Sequence, residues 1–342
     1  MREQVSIIGD GAMGTVCALM LAENGVSVRL WSAFPDAADR LARQRDNTRF
    51  LPGHPLPQCV EVTGDDARAL AGATLAISAV PTQFMRGVWQ RLKSHCPADL
   101  PICSVTKGIE NHTLLLPTQI LRDVLDGGRK APRGLAALSG PSIAPEVADH
   151  RLAVVTVAST DDSLALRVQQ IINRPYFRVY TNPDLPGVEL AGAIKNVIAI
   201  AAGMLDGLGA GDNAKAALLT RGLVEIARLG AAMGGREETF AGLAGMGDLV
   251  TTCFSPIGRN RSFGEAVGRG KSVKDVLAAS ESVVEGVATT TSVIELAGRL
   301  KVDMPITTAV HHVLEGKATP DEAIVALMSR PLRAEQRKKH SE

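Results

Sequence analysis

The 342 residues carry 37 Lys and Arg against 36 Asp and Glu, with 45% hydrophobic and only 3% aromatic side chains. Such a balance excludes a strong global field for nucleic acid or an anionic membrane surface, so any anionic partner has to be held locally. The length predicts two domains with ample core. Five scattered cysteines, Cys17, Cys59, Cys96, Cys103 and Cys253, form no CxxC pair, which argues against a disulfide framework or a zinc site and for a reducing cytoplasm. The chain opens on a strand-like segment without a basic and apolar leader, and no uninterrupted apolar run is long enough to cross a bilayer. Neither export nor membrane insertion is expected.

In chain order, Val5 to Ile8, Val26 to Trp31, Leu75 to Val80, Ile102 to Val105 and Leu135 to Ser139 read as strands, with amphipathic stretches such as Ala37 to Arg45 between several of them. That alternation predicts a parallel, doubly wound sheet. Leu152 to Val157 and Phe177 to Tyr180, flanking a helical stretch from Ser163 to Ile172, extend it. After Asn182-Pro183 the strand signal ends and Ala/Leu/Gly-rich helical patterns run to about Met328. The expected organisation is therefore α/β: a doubly wound sheet domain over 1–184, an all-helical domain over 185–330, and a polar, basic tail over 331–342.

Gly9-Asp10-Gly11-Ala12-Met13-Gly14 follows the first strand directly and opens a helix reaching about Asn24-Gly25. Glycines allow a tight turn and close backbone approach, and the helix N-terminus offers free N–H groups to a pyrophosphate. In that context GxGxxG predicts a Rossmann-like dinucleotide site with Gly9, Gly11, Ala12, Met13 and Gly14 at the cofactor. The second strand ends Trp31-Ser32-Ala33-Phe34 without the acid that would hold an NAD ribose. Absence of that charge, with Arg29 or Arg40 as a positive partner, favours NADPH over NADH.

Further along, Ser104-Val105-Thr106-Lys107 and Ser139-Gly140-Pro141-Ser142 follow strand ends, where ligands of open α/β sheets bind. Gly247-Asp248-Leu249-Val250-Thr251-Thr252 precedes Gly258-Arg259-Asn260-Arg261, and a guanidinium beside an amide suits a phosphate or carboxylate. Surface charge for Arg259 and Arg261, and a helix cap for Asp248, are the alternatives. The helical stretch from 188 to 222 sets Lys195 on a face with Val188, Ala191, Gly192, Ala199, Ala202, Gly203 and Asp206. Two readings are open there: close helix packing, or room around an ammonium whose pKa desolvation lowers.

The segments GDGAMGT, SVTKGIE, LSGPSIAPEVA, GVELAGAIKNVIAIAAGMLDGLGAGDNAKAALLTRGL, AGMGDLVTTC, GRNRSFG and VVEGVATT together resemble the soluble, bacterial-type NAD(P)-dependent glycerol-3-phosphate dehydrogenases. The resemblance runs in order over almost the whole chain. It implies reversible reduction of dihydroxyacetone phosphate to sn-glycerol 3-phosphate for glycerophospholipid synthesis, in a cytoplasmic enzyme that is expected to be a homodimer. It further implies that Lys195 is the proton donor and acceptor, with Asp248 as its polar partner and Asn196 and Thr252 close to the reacting carbon. Arg259 and Asn260 correspond to the phosphate grip, with Gly258 beside them; Lys107, Gly140 and Ser142 are further substrate contacts. Lys107, Ala144, Arg259, Val283 and Glu285 are cofactor contacts by the same correspondence, and no metal is implied. Departures fall at Ala12, Met13 and Ala33, where relatives carry other residues, and at Gly258, which stands for a serine and is expected to turn a hydroxyl contact into a backbone one. A dehydrogenase of another small hydroxy acid or phosphorylated ketone, or a catalytically silent cofactor-binding regulator, is the alternative.

Overall fold

The structure is a computed structural model and describes residues 3–128, 132–280, 283–332, 334 and 335; most of the expected C-terminal tail lies outside these. Eight strands, β1 (Gln4–Ile8), β2 (Ser27–Trp31), β3 (Val60–Thr63), β4 (Leu75–Ser78), β5 (Ile102–Ser104), β6 (Leu135–Ser139), β7 (Ala153–Ser159) and β8 (Phe177–Asn182), form one sheet in the order β3-β2-β1-β4-β5-β6-β7-β8. Its helices are α1 (Ala12–Glu23), α2 (Pro35–Gln44), α3 (Asp66–Leu70), α4 (Thr82–Leu92), α5 (Pro117–Asp126), α6 (Ala144–Ala148) and α7 (Asp162–Ile172).

Both faces of the sheet are buried along its middle strands, which is why these read as near-continuous apolar runs, whereas edge strand β8 alternates buried Phe177 and Val179 with exposed Arg178 and Tyr180. Along β1, Val5 and Ile7 pack on the side of α1 and α7, while Ile8 joins Trp31, Ala76 and Trp89 on the other side. The order reverses between β1 and β4, and ligands of such sheets bind at that crevice, past the C-terminal strand ends.

Two expectations need correction. β6 and β7 pair antiparallel, so the sheet is not parallel throughout, although β7 and β8 extend it as foreseen. The short strand β3 was not anticipated: Val-Glu-Val-Thr offers only two apolar residues, too little alternation to register as a pattern.

All described structure beyond β8 is helical. It consists of α8 (Leu185–Leu208), α9 (Asp212–Ala232), α10 (Glu237–Ala241), α11 (Asp248–Phe254), α12 (Arg259–Gly268), α13 (Val273–Ala278), α14 (Glu285–Leu300), α15 (Pro305–Leu314) and α16 (Pro320–Met328), with a π turn over Leu243–Gly247 before α11. At 24 residues α8 is long and apolar enough to cross a bilayer, contrary to the sequence reading, but almost all of it is buried inside the protein. It is a core helix: Asp184 caps it by accepting from Gly187 N at 3.0 Å, and its apolar side chains pack with Ile226, Leu249, Phe263 and Val293 in one cluster.

The small-residue face of α8 divides between the two open readings. Methyl groups added at Gly203 and Gly207 would overlap the carbonyls of Arg261 and Glu265, and methyls at Gly264 and Gly268 of α12 would overlap those of Ile200 and Met204. Here the small residues bring two helix backbones together, as the packing reading requires. Nearer Lys195, a methyl at Gly192 would stand 2.7 Å from Ser139 Oγ. The glycine there makes space for side chains arriving from the sheet.

Candidate active site

Lys195 is 5% exposed in the middle of α8. Its Nζ lies 2.8 Å from Asp248 Oδ1 and donates to Thr252 Oγ1. Both partners stand on α11, one helical turn apart, so they share the face turned to α8. Asp248 is the first residue of α11 but makes no side-chain cap. Its second oxygen, Oδ2, accepts from Lys107 Nζ at 2.6 Å, and that ammonium also donates to the Gly140 carbonyl at 3.0 Å. Asn196 Nδ2 donates to the Lys107 carbonyl at 3.3 Å. One buried carboxylate thus joins two lysines, one from the end of β5 and one from the core of the helical layer.

Burial pulls the Lys195 ammonium down to about 8; Asp248 works against that fall, and the like charge of Lys107 adds to it. For Asp248 burial favours the neutral acid, yet the two ammoniums outweigh it and hold the carboxyl below its ordinary value. An ammonium titrating near neutrality is matched to donating and recovering a proton.

Gly140 adopts φ 130°, and a Cβ there would stand 2.9 Å from Val155 Cα, so only glycine fits. Its carbonyl also receives Ser142 Oγ at 3.0 Å. Ser142 is thereby fixed beside Lys107 through one shared acceptor.

The N-terminus of α12 supplies an anion site. Gly258 is its N-cap residue with no side-chain cap, and Arg259 and Asn260 open the helix, which leaves first-turn N–H groups for a negative ligand. Asn260 is buried and its Oδ1 accepts from Gly286 N at 2.9 Å, so its amide NH2 remains for such a ligand. Exposed Arg259 donates to the Val283 carbonyl at 3.1 Å. The Gly258 N–H is already given to Ser255 O at 3.2 Å, so the expected backbone substitute for a serine contact has to come from the residues after Gly258. Gly286 links this site to Lys195: a Cβ there would stand 2.7 Å from both Asn196 O and Asn260 Oδ1. Arg261 belongs elsewhere, paired with Asp206 at 2.6 Å, and Asp206 also holds Lys215.

Glu285 and Thr82 meet at the same crevice. Thr82 N donates to Glu285 Oε1 at 3.1 Å, and burial raises the Glu285 carboxyl above its ordinary value. Thr82 was missed in the sequence; its place at the start of α4, four residues past β4, whose end borders the crevice, was the available signal.

The glycine-rich turn fits a dinucleotide. A Cβ at Gly9, at φ 112°, would stand 2.8 Å from Ala79 O, and one at Gly14 would overlap the Gly9 carbonyl, so these two glycines let turn, strand and helix close on each other. Gly11 has open space where its Cβ would be. It begins α1 without a side-chain cap and without an acidic residue in the first turn, leaving both room and N–H groups for a pyrophosphate. Met13 and Ala144 are each partly buried against the core cluster on the α1 side of the sheet. Of the two arginines offered for a 2′-phosphate, Arg29 is committed elsewhere, to Glu61 at 3.0 Å and Ala71 O at 2.8 Å. Among the described residues no group of three or more His, Cys, Asp or Glu is arranged to hold a metal ion.

A turn fitted to a dinucleotide at the head of a 3-2-1-4-5-6 sheet, facing a buried lysine cluster from a helical domain, defines a two-domain dinucleotide-dependent dehydrogenase. The chain belongs to the NAD-dependent glycerol-3-phosphate dehydrogenase family: residues 4–165 match the family's N-terminal model and 184–325 its C-terminal model. It is 45% identical over 335 residues to the glycerol-3-phosphate dehydrogenase [NAD(P)+] of Geobacter sp. (strain M21), covering 98% of this chain and 99% of that one. The enzyme of the same name from Geobacillus thermodenitrificans is 46% identical over 96% of this chain and 95% of its own length. Among solved structures, a glycerol-3-phosphate dehydrogenase from Coxiella burnetii superposes with a TM-score of 0.92 at 38% identity, over 96% of this chain and 99% of that one.

Proposed function

We propose that this oxidoreductase reduces dihydroxyacetone phosphate reversibly to sn-glycerol 3-phosphate, with Lys195 as the acid and base. The observation that carries the reading is the Lys107–Asp248–Lys195 cluster, linked through Asn196 and Gly286 to the anion site at Arg259 and Asn260. A phosphate held at the start of α12 sets a three-carbon substrate with its C2 oxygen toward Lys195 Nζ. A dinucleotide held at the turn of Gly9, Gly11 and Gly14 would supply the hydride to C2, or accept it in the reverse direction. Lys195 offers its proton to the oxygen as negative charge develops there, and its ammonium stabilises that charge before transfer. Asp248 holds Lys195 at the oxygen and Thr252 orients the ammonium. In the oxidative direction the neutral amine of Lys195 takes the proton back.

NADPH is the favoured cofactor, because β2 ends without a carboxylate to repel a 2′-phosphate. The product suits glycerophospholipid synthesis. A division at 184/185, between sheet and helical domains, fits the end of β8 at Asn182 and the start of α8 at Leu185. Five unpaired cysteines suit the cytoplasm. A homodimer agrees with the exposed apolar residues Val325, Met328 and Leu332; light scattering of the purified protein would test it, a monomer at micromolar concentration refuting it.

Initial rates with dihydroxyacetone phosphate and either NADPH or NADH test activity and cofactor together. Turnover with NADPH is expected to be the faster. A preference for a non-phosphorylated hydroxy acid would overturn the substrate reading, and binding of NADPH without oxidation would overturn the catalytic one.

A further inference from the structure

With Arg29 committed to Glu61, recognition of a 2′-phosphate needs another source of charge at the end of β2. Arg91 is also spent there: its guanidinium pairs with Asp66 at 2.6 Å and donates to Ala33 O at 2.8 Å. A small hollow of about 110 Å³ is bordered by Asp10 of the glycine-rich turn, Phe34, Arg40, Asn47, Arg49 and Phe50. Among the described residues neither Arg40 nor Arg49 has a carboxylate partner within 4 Å, whereas Asp46 on the same rim is occupied by the Gly53 N–H at 3.2 Å.

The arginines stand on a fixed frame. Arg40 lies on α2, whose first turn follows Phe34 directly. Arg49 lies in the loop after it, and that loop is fastened to the dinucleotide turn: buried Asn47 donates to Asp10 O at 2.7 Å and to Thr15 Oγ1 at 2.8 Å. Arg45 holds the loop from the other side, donating to Leu56 O at 3.3 Å and Val60 O at 2.9 Å. Arg49 itself rests over the Phe50 ring at 4.9 Å, which sets its guanidinium without using its N–H groups on an acid.

We infer that Arg40 and Arg49 together form the binding site for the 2′-phosphate of the adenosine end of NADPH, replacing the side chain missing at Ala33. The inference rests on the proposed preference for NADPH and names the residues that produce it. The hollow adjoins both the C-terminal end of β2 and the turn that takes the pyrophosphate, where the adenosine ribose of a dinucleotide lies in this fold. Two guanidiniums with free N–H groups can take a phosphate dianion between them, each through charge-assisted hydrogen bonds. The hydride-transfer end of the site is untouched by either residue.

Calorimetric titration with adenosine 2′,5′-bisphosphate and with 5′-AMP tests this without turnover. The unaltered protein is expected to bind the bisphosphate roughly tenfold or more tightly than 5′-AMP, with a preference that shrinks as salt rises. Arg40→Ala and Arg49→Ala should each reduce that ratio, and the double variant should bring it near unity while leaving 5′-AMP affinity unchanged. Equal binding of the two nucleotides by the unaltered protein, or a preference that survives in the double variant, would overturn the assignment while leaving the dinucleotide site intact. Failure of both nucleotides to bind would remove the dinucleotide reading and this assignment with it.

Discussion

Asp248→Asn removes the one negative charge that lies between Lys195 and Lys107, at 2.8 and 2.6 Å, while keeping the shape of the side chain. At an effective dielectric near 20, a unit pair at such a separation attracts by about 6 kcal/mol before desolvation is counted. The net effect of one neighbouring opposite charge on a pKa is usually about one to three units. Lys195 already stands at about 8, and Lys107 remains beside it as an uncompensated cation. The variant's Lys195 should therefore titrate roughly one to three units lower. At pH 7 about nine in ten ammoniums are protonated in the unaltered enzyme, given a pKa of about 8. In the variant that falls to between about half and about one in a hundred, so reduction should slow roughly twofold to hundredfold from protonation alone. The assay is a pH profile of kcat/KM for dihydroxyacetone phosphate reduction. Its alkaline limb should move from about 8 to lower pH, and activity should recover in part below pH 6. A limb still near 8 in the variant would refute Lys195 as the titrating acid. A uniform loss at every pH would make Asp248 a purely geometric support.

Lys195→Ala should lower turnover by roughly two to four orders of magnitude with little change in cofactor binding, and near-normal turnover would end its catalytic role. Arg259→Ala should raise KM for dihydroxyacetone phosphate and narrow discrimination against unphosphorylated analogues; an unchanged preference in competition assays would exclude the grip at α12. Gly264→Ala forces a methyl against the Ile200 carbonyl, so urea denaturation should register a loss of about 1–3 kcal/mol and KM should rise as Asn260 shifts; a variant as stable as the parent would show that α12 yields there. Glu189 is buried with no ion partner among the described residues, accepting from Thr118 N at 2.9 Å, and burial raises it to about 7. Because its folded pKa lies above the unfolded one, its stabilising contribution is full below about 4.5 and is lost as pH rises toward about 7. Glu189→Gln should flatten the urea midpoint across that window, and an unaltered slope would assign it to other groups.

Most of the sheet was legible because the middle strands are buried on both faces, which writes each of them as an apolar run between turn residues. The antiparallel β7 was not, since direction within a sheet leaves no trace in composition. GxGxxG could be placed because strand, turn and helix are contiguous. Lys195 could be singled out, but its neighbourhood could not: Lys107 reaches Asp248 across 141 residues of sequence, and no local pattern encodes such a meeting. The small face of α8 misled in part for the same reason. Glycines that admit another backbone and glycines that clear space for side chains look alike until the partner helix is known. Arg29 drew attention by lying on β2, yet Glu61 on the unforeseen β3 takes it. Arg40 carried less signal, yet like Arg49 it has no ion partner among the described residues.

The reversal at β7 also determines the phase of α8. Through the ladder, Asn182 at the end of β8 lies level with Ala158 and so with Ala137, two residues short of the end of β6. The helix must climb back past the rim of the sheet, and it meets that rim at Gly192, beside Ser139. Lys195 follows three residues later, about 4.5 Å higher and most of a turn around. The timing of that climb is as strict as a gear. One residue inserted between Leu185 and Gly192 would advance everything above by about 1.5 Å and 100°, turning the ammonium away from Asp248 and a side chain of another kind into its place. Length, over this one stretch, is as much a catalytic specification as chemistry.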